Sequence, residues 1–170
     1  LDKQNLELAA HELFAARSLN HRIFVAGNGG SAAIAEHSTC DLGKGCHIAT
    51  TLQMISLVSN VAMMTAVGND IGYDSIFSYP LELAEPKPGE VILLISSSGN
   101  SPNIIKAAEF ALKRKMVVIG MCGFDGGKLK EMADIPLHVP VANYGVVEDC
   151  HQMIMHVLAQ CHYLTLREPS

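Results

Sequence analysis

The sequence predicts a doubly wound (flavodoxin-like) α/β fold, a five-stranded parallel sheet flanked by helices, on three observations. Short, continuously apolar runs recur along the chain, as strands buried on both faces require. Segments of helical period alternate with these runs, the pattern of a parallel sheet built from βαβ units. No linker, repeat or low-complexity stretch breaks the series, and 170 residues suit one domain with a real core.

The elements follow in order. Leu6, Leu8, Ala9, Leu13, Phe14 and Leu19 recur at helical spacing, so residues 2–19 are expected to form an amphipathic helix. Residues 22–26 read as a buried strand closed by Gly27-Asn28-Gly29-Gly30-Ser31. A helix over 31–42 follows, with Ser31 suited to cap it. The same order repeats with a strand at 52–58 and a helix at 60–67, rich in alanine and methionine. The clearest strand is 91–96; it runs into Ser97-Ser98-Gly99-Asn100-Ser101 and a helix over 101–113. A strand at 116–121, a short helix at 126–133, a strand at 135–139 and a long helix at 146–166 complete the series. Helical periodicity is already under way at Leu1, so the natural protein is expected to extend upstream.

Composition narrows the function. The chain is 49% apolar and only 17% charged, a thin charged surface that suggests an oligomer. A net charge of −5 without any basic run argues against a nucleic-acid partner. The longest strictly apolar run, 91–95, is far too short to cross a bilayer, and the opening residues do not read as a signal peptide. Five cysteines, an odd number without a C-x-x-C pair, read as reduced thiols of a cytoplasmic protein.

The two loops after the first and third strands carry the chemistry. Both are rich in glycine and small hydroxyl residues, and both feed a helix. Helix N-termini offer unpaired N–H groups and about half a positive charge to an anion. Glycine lets the backbone approach it, and serine hydroxyls add donors. A phosphate site therefore needs no Arg or Lys nearby. Each loop alone could be a tight turn with an N-cap; two such loops in one sheet favour phosphate binding. Gly27–Ser31 is neither a dinucleotide-binding G-x-G-x-x-G nor a P-loop.

AGNGGSAA (26–33) and ISSSGNSPNIIKA (95–107) resemble the paired signatures of the sugar isomerase (SIS) domain family. VGNDIGYDSIFS (67–78), GFDGGKL (123–129), and HVP followed by a His-bearing final helix are similar to its sedoheptulose 7-phosphate isomerase (phosphoheptose isomerase) branch. That resemblance implies a homotetramer with active sites between subunits and a phosphosugar substrate. It implies phosphate held by Ser31, Ser96, Ser97, Ser98 and Ser101 around Gly29 and Gly30, with Asn28 and Asp70 near the sugar. Its catalytic pair falls on Asp41, where the family carries Glu, and on His156. Its zinc ligands fall on His37, Asp41, Glu148 and His156, Glu148 standing where glutamine is usual. An arginine of the better-known members has no counterpart, Lys44 being the nearest cation.

The implied reaction interconverts sedoheptulose 7-phosphate and D-glycero-D-manno-heptose 7-phosphate through an enediol, with Asp41 or Glu148 as the carboxylate acid/base and His156 as its partner. The alternative is a sensor or adaptor that binds a phosphosugar without turnover. His37 and Asp41 are four apart on one helix and can reach one ion, although H-x-x-x-D is also an ordinary surface pair. Glu148 and His156 lie eight apart, about 12 Å at ~1.5 Å per residue, which strains a metal site built from one chain. His151 reads equally as a partner of that site or as a packed helix residue. His11, His21, His47, His138 and His162 read as surface or structural, and the methionines as packing.

Overall fold

The computed structural model describes residues 2–45 and 52–165. Five strands form one sheet: β1 (Arg22–Gly27), β2 (Gln53–Ser56), β3 (Val91–Ser96), β4 (Val117–Cys122) and β5 (Ile135–His138). Every pairing is parallel, in the order β2-β1-β3-β4-β5, the expected doubly wound arrangement. The chain steps outward from β1 to β2 and then returns to the other side of β1 with β3. The C-terminal ends of β1 and β3 are thus neighbours at the point where the winding reverses, the place where ligands bind in open α/β sheets.

Residues alternate between two apolar layers. Ile23, Val25, Leu93, Ile95, Ile119 and Met121 face one layer; Phe24, Ala26, Ile92, Leu94 and Val118 face the other. The first layer is closed by α1 (Lys3–Ser18), α2 (Gly30–Ser38) and α7 (Tyr144–Thr165). The second is closed by α3 (Val61–Asp70), α4 (Ser78–Leu83), α5 (Pro102–Lys113) and α6 (Gly127–Met132). Burial on both faces explains why the strands read as unbroken apolar runs instead of alternating ones.

Three parts differ from the sequence expectation. The helix expected over 31–42 is α-helical only to Ser38 and widens into a π turn over Thr39–Gly45, which carries Asp41. π turns inside helices recur at functional sites. The segment between α3 and β3 holds a 3₁₀ turn (Tyr73–Ser75) and α4, neither of which the periodicity revealed. Pro80 sits in the first turn of α4, where a missing N–H costs no helical hydrogen bond. The final helix starts at Tyr144, two residues early. His47 and Cys46 lie outside the described residues.

At the N-terminal edge of the sheet, Arg22 and Glu90 form a two-pronged ion pair, Nε–Oε1 2.6 Å and Nη2–Oε2 2.7 Å. Arg22 also donates to the carbonyls of Ala84 and Glu85. Burial pushes the Glu90 carboxyl up, but hydrogen bonds from Arg22 and from the Lys87 and Arg22 amides bring it below its ordinary value. This clasp holds β1 and β3 together at the end opposite the loops.

Candidate active site

The two loops form one cavity of about 160 Å³, lined by Asn28, Ser31, Ser96, Ser97, Ser98, Ser101, Tyr144 and Glu148. The helices that start there lack the side-chain caps of α1 and α3, as the short helices α4 and α6 also do. Asp2 caps α1 and Asn60 caps α3, each accepting a backbone N–H. The N-cap positions of α2 and α5 are Gly29 and Ser101, and neither side chain caps its helix. Ser31, expected to cap α2, instead lies inside its first turn. The start of α2 is thus open to a ligand, whereas α5 begins with Pro102, which has no N–H, and its Ile104 N–H is taken by the Ser101 carbonyl and the Asn103 side chain.

Local chemistry sets this shape. Gly29 has φ +55°, left-handed backbone that a side chain would strain. The Ser96 and Ser101 hydroxyls lie 3.1 Å apart. The Ser97 hydroxyl is buried and has no hydrogen-bond partner, a costly state that a bound anion would relieve. Gly29 is exposed and Ser98 half-buried at the rim. Asp70 does not line this cavity: it is exposed at the end of α3, accepting from the side chain of Asn69 at 2.7 Å.

A second group of polar side chains lies along the same helices. Asp41 Oδ2 is 3.2 Å from His37 Nε2 and 3.5 Å from His156 Nε2. The two imidazole rings meet edge to face with centroids 5.2 Å apart. One ligand atom from each residue lies within 4.8 Å of the others. Two imidazole nitrogens and a carboxylate oxygen at that spacing suit a divalent transition-metal ion.

Glu148, the fourth expected ligand, is not in this group. Its carboxylate packs on Gly30, where a Cβ would overlap it, and it faces the serine cavity. The eight-residue spacing from His156 is the reason. Gly30 meets Glu148 at one end of the α2–α7 pair and His37 meets His156 at the other, so the two helices run side by side in the same direction. The seven or eight residues between those contacts put about 10–12 Å between serine cavity and His/Asp group, at ~1.5 Å per residue.

Sequence reasoning missed three participants. Gln152 Nε2 lies 3.0 Å from His156 Nε2, one helical turn away, a pairing legible in the i, i+4 spacing. Asn103 and Tyr73 both bind the Asn28 side chain; no local pattern announces those contacts. His151 is fully buried, and burial lowers its pKa while the Cys122 backbone partly offsets this. It packs as a neutral helix residue. His138 and His21 serve the fold, lying 3.0 Å from the carbonyls of Phe124 and Gly89. Lys44 is exposed at the end of the π turn. None of the four cysteines among the described residues is in a disulfide. Among those residues no helix is long and apolar enough to cross a membrane.

The SIS-domain family model matches residues 1–123. The phosphoheptose isomerase of Bordetella avium is 40% identical over 154 residues, covering 88% of this chain and 78% of that protein. That of Trichlorobacter lovleyi is 37% identical over 150 residues, covering 88% and 76%. Phosphoheptose isomerase GmhA from Neisseria gonorrhoeae superposes with a TM-score of 0.88 at 32% identity, covering 94% of this chain and 85% of that one. A phosphoheptose isomerase from Francisella tularensis gives 0.88 at 31% identity, covering 95% and 86%. This chain belongs to the SIS-domain family, in its phosphoheptose isomerase branch.

Proposed function

We propose that the protein is an aldose–ketose isomerase that interconverts sedoheptulose 7-phosphate and D-glycero-D-manno-heptose 7-phosphate. One observation carries this reading: a serine-lined, phosphate-type cavity and a His/Asp acid–base group lie at opposite ends of the contact between α2 and α7. The phosphate end has the start of α2 and the Ser97 hydroxyl, with Ser31, Ser96, Ser98, Ser101 and the backbone of Gly29 and Gly30 around them. The separation suits an open-chain sugar whose phosphate is at one end and whose carbonyl is at the other. A short triose phosphate could not reach both.

At the carbonyl end Asp41 takes the proton from C1 of the ketose, and His156 donates a proton to the carbonyl oxygen at C2. The resulting enediol carries hydroxyls on C1 and C2. Return of a proton to C2 and loss of the O1 proton give the aldose. Positioned acid–base groups of this kind contribute roughly 10²–10⁴-fold each. His37 and Gln152 hold Asp41 and His156 in register by direct contact. Asp41 is one methylene shorter than glutamate, and its place on the π turn brings it to both imidazoles. Glu148, facing the serine cavity, acts at the phosphate end and not as the base.

His37, Asp41 and His156 fit a zinc ion, without Glu148. Zinc there would supply Lewis-acid polarisation of the substrate oxygens. With intact folding, Asp41→Asn and His156→Ala should each lower kcat for sedoheptulose 7-phosphate by at least 100-fold. Full activity in both would exclude this mechanism.

A homotetramer with active sites between subunits is the assembly we infer, with α1 as part of the contact. Val146, Met153, Val157 and Leu164 form an exposed apolar stripe along α7 at spacings of seven, four and seven. Leu8 and Phe14 on α1 are also exposed, and light scattering at four chain masses is the expected result. Cysteines outside any disulfide among the described residues support a cytoplasmic location, where thiols stay reduced.

A further inference from the structure

The serine cavity is held together by a pair of amides. Asn103, in the first turn of α5, is 1% exposed. Its Nδ2 donates to Asn28 Oδ1 at 2.9 Å, and Asn28 Nδ2 donates back to Asn103 Oδ1 at 2.9 Å. This reciprocal pair joins the loop after β1 to the helix after β3, the two halves of the cavity.

The pair also has a fixed polarity. The Ile104 N–H, shared with the Ser101 carbonyl, donates to Asn103 Oδ1 at 3.0 Å. A backbone N–H cannot reverse its role, so Asn103 must turn its oxygen towards it. That leaves the Asn103 NH₂ facing Asn28, which in turn must present its own oxygen. The Tyr73 hydroxyl, 3.2 Å away, occupies the second lone pair of Asn28 Oδ1. Both acceptor sites of Asn28 are then used, and one of its two amide hydrogens is spent on Asn103. What Asn28 has left for a ligand in the cavity it lines is a single N–H donor.

We propose that Asn103 is a positioning residue for phosphosugar binding: it fixes Asn28 as a donor facing the cavity and keeps the two loops in register. A reversed Asn28 amide would present its oxygen to the anionic ligand instead. This proposal rests on the reading of the serine cavity as the phosphate end of the substrate site.

A double-mutant cycle tests it, because a residue that acts only through Asn28 loses its effect when Asn28 is gone. KM and kcat for sedoheptulose 7-phosphate, and the Kd for inorganic phosphate, would be measured for wild type, Asn28→Ala, Asn103→Ala and the double variant. Asn103→Ala should raise KM and the phosphate Kd at least tenfold and change kcat less than threefold. It should add nothing further in the Asn28→Ala background. Asn103→Leu, which keeps the buried volume, should give the same result if Asn103→Ala fails to fold.

Equal effects of Asn103→Ala in both backgrounds, or an unchanged KM, would overturn the positioning role. Ser97→Ala tells the two readings apart. If it weakens phosphate binding while the Asn103 variants do not, the cavity reading stands and this proposal falls. If wild type does not bind phosphate at all, both fall together.

Discussion

Glu148 is the residue whose chemistry the structure changes most. On sequence it counts as a metal ligand and a candidate acid/base; in the fold its carboxylate lies on Gly30 and faces a cavity without any cation in its lining. A negative charge there opposes a phosphate. Two like charges about 4 Å apart repel by ~4 kcal/mol at an effective dielectric of 20, and part of this is lost at a half-exposed rim. Glu148→Gln should therefore tighten inorganic phosphate about tenfold, which is 1.4 kcal/mol, as read by calorimetric titration. Unchanged or weaker binding would mean that the carboxylate does not face the bound anion. Gly30 is linked to the same contact, since a Cβ there would have to displace Glu148. Asp41 and His156, which Glu148 does not join, lie 3.5 Å apart.

At the scale of elements, strands β1, β3 and β4 were legible because burial on both faces leaves an unmistakable apolar run. The two serine and glycine loops were legible because the ends of such runs are where small residues stand out. The segment 68–90 was not, because a 3₁₀ turn and a six-residue helix are too short to show a period. The Arg22–Glu90 clasp and the Asn28–Asn103 pair were hidden for another reason: 68 and 75 residues separate the partners, and only the parallel sheet brings them together. The π turn that carries Asp41 leaves no mark on the helical pattern either.

Packing of α1 on α7 gives a prediction at the same scale. His162 is buried there beside Phe14, and burial together with the Arg17 charge pushes its pKa down to about 4. An unfolded chain would protonate it near 6.5. The folded state is then unaffected by this group above about pH 6.5, loses stability as pH falls from there to about 4, and loses no more below. The loss is at most about 1.4 kcal/mol per pH unit. Thermal unfolding of wild type should show that slope, and His162→Leu should remove it. Identical pH profiles would show that the imidazole does not titrate on unfolding.

For the molecule as a whole, the argument is one of arrangement. The reversal of winding between β1 and β3 gathers two helix starts without side-chain caps around one serine-lined cavity. The parallel run of α2 and α7 then carries His37, Asp41 and His156 to a distance set by helix rise. Fold class and both loops could be read from the sequence; the division of labour along the helix pair could not, because it depends on which helices lie side by side. The measurement that bears most directly on this account is proton NMR of sedoheptulose 7-phosphate incubated with the purified protein, before and after chelation. The account predicts aldose signals growing with time, lost on chelation and restored by zinc. Turnover that survives thorough chelation would keep the isomerase and remove the metal. Broadened sugar-phosphate lines with no aldose, under either condition, would contradict the isomerase itself.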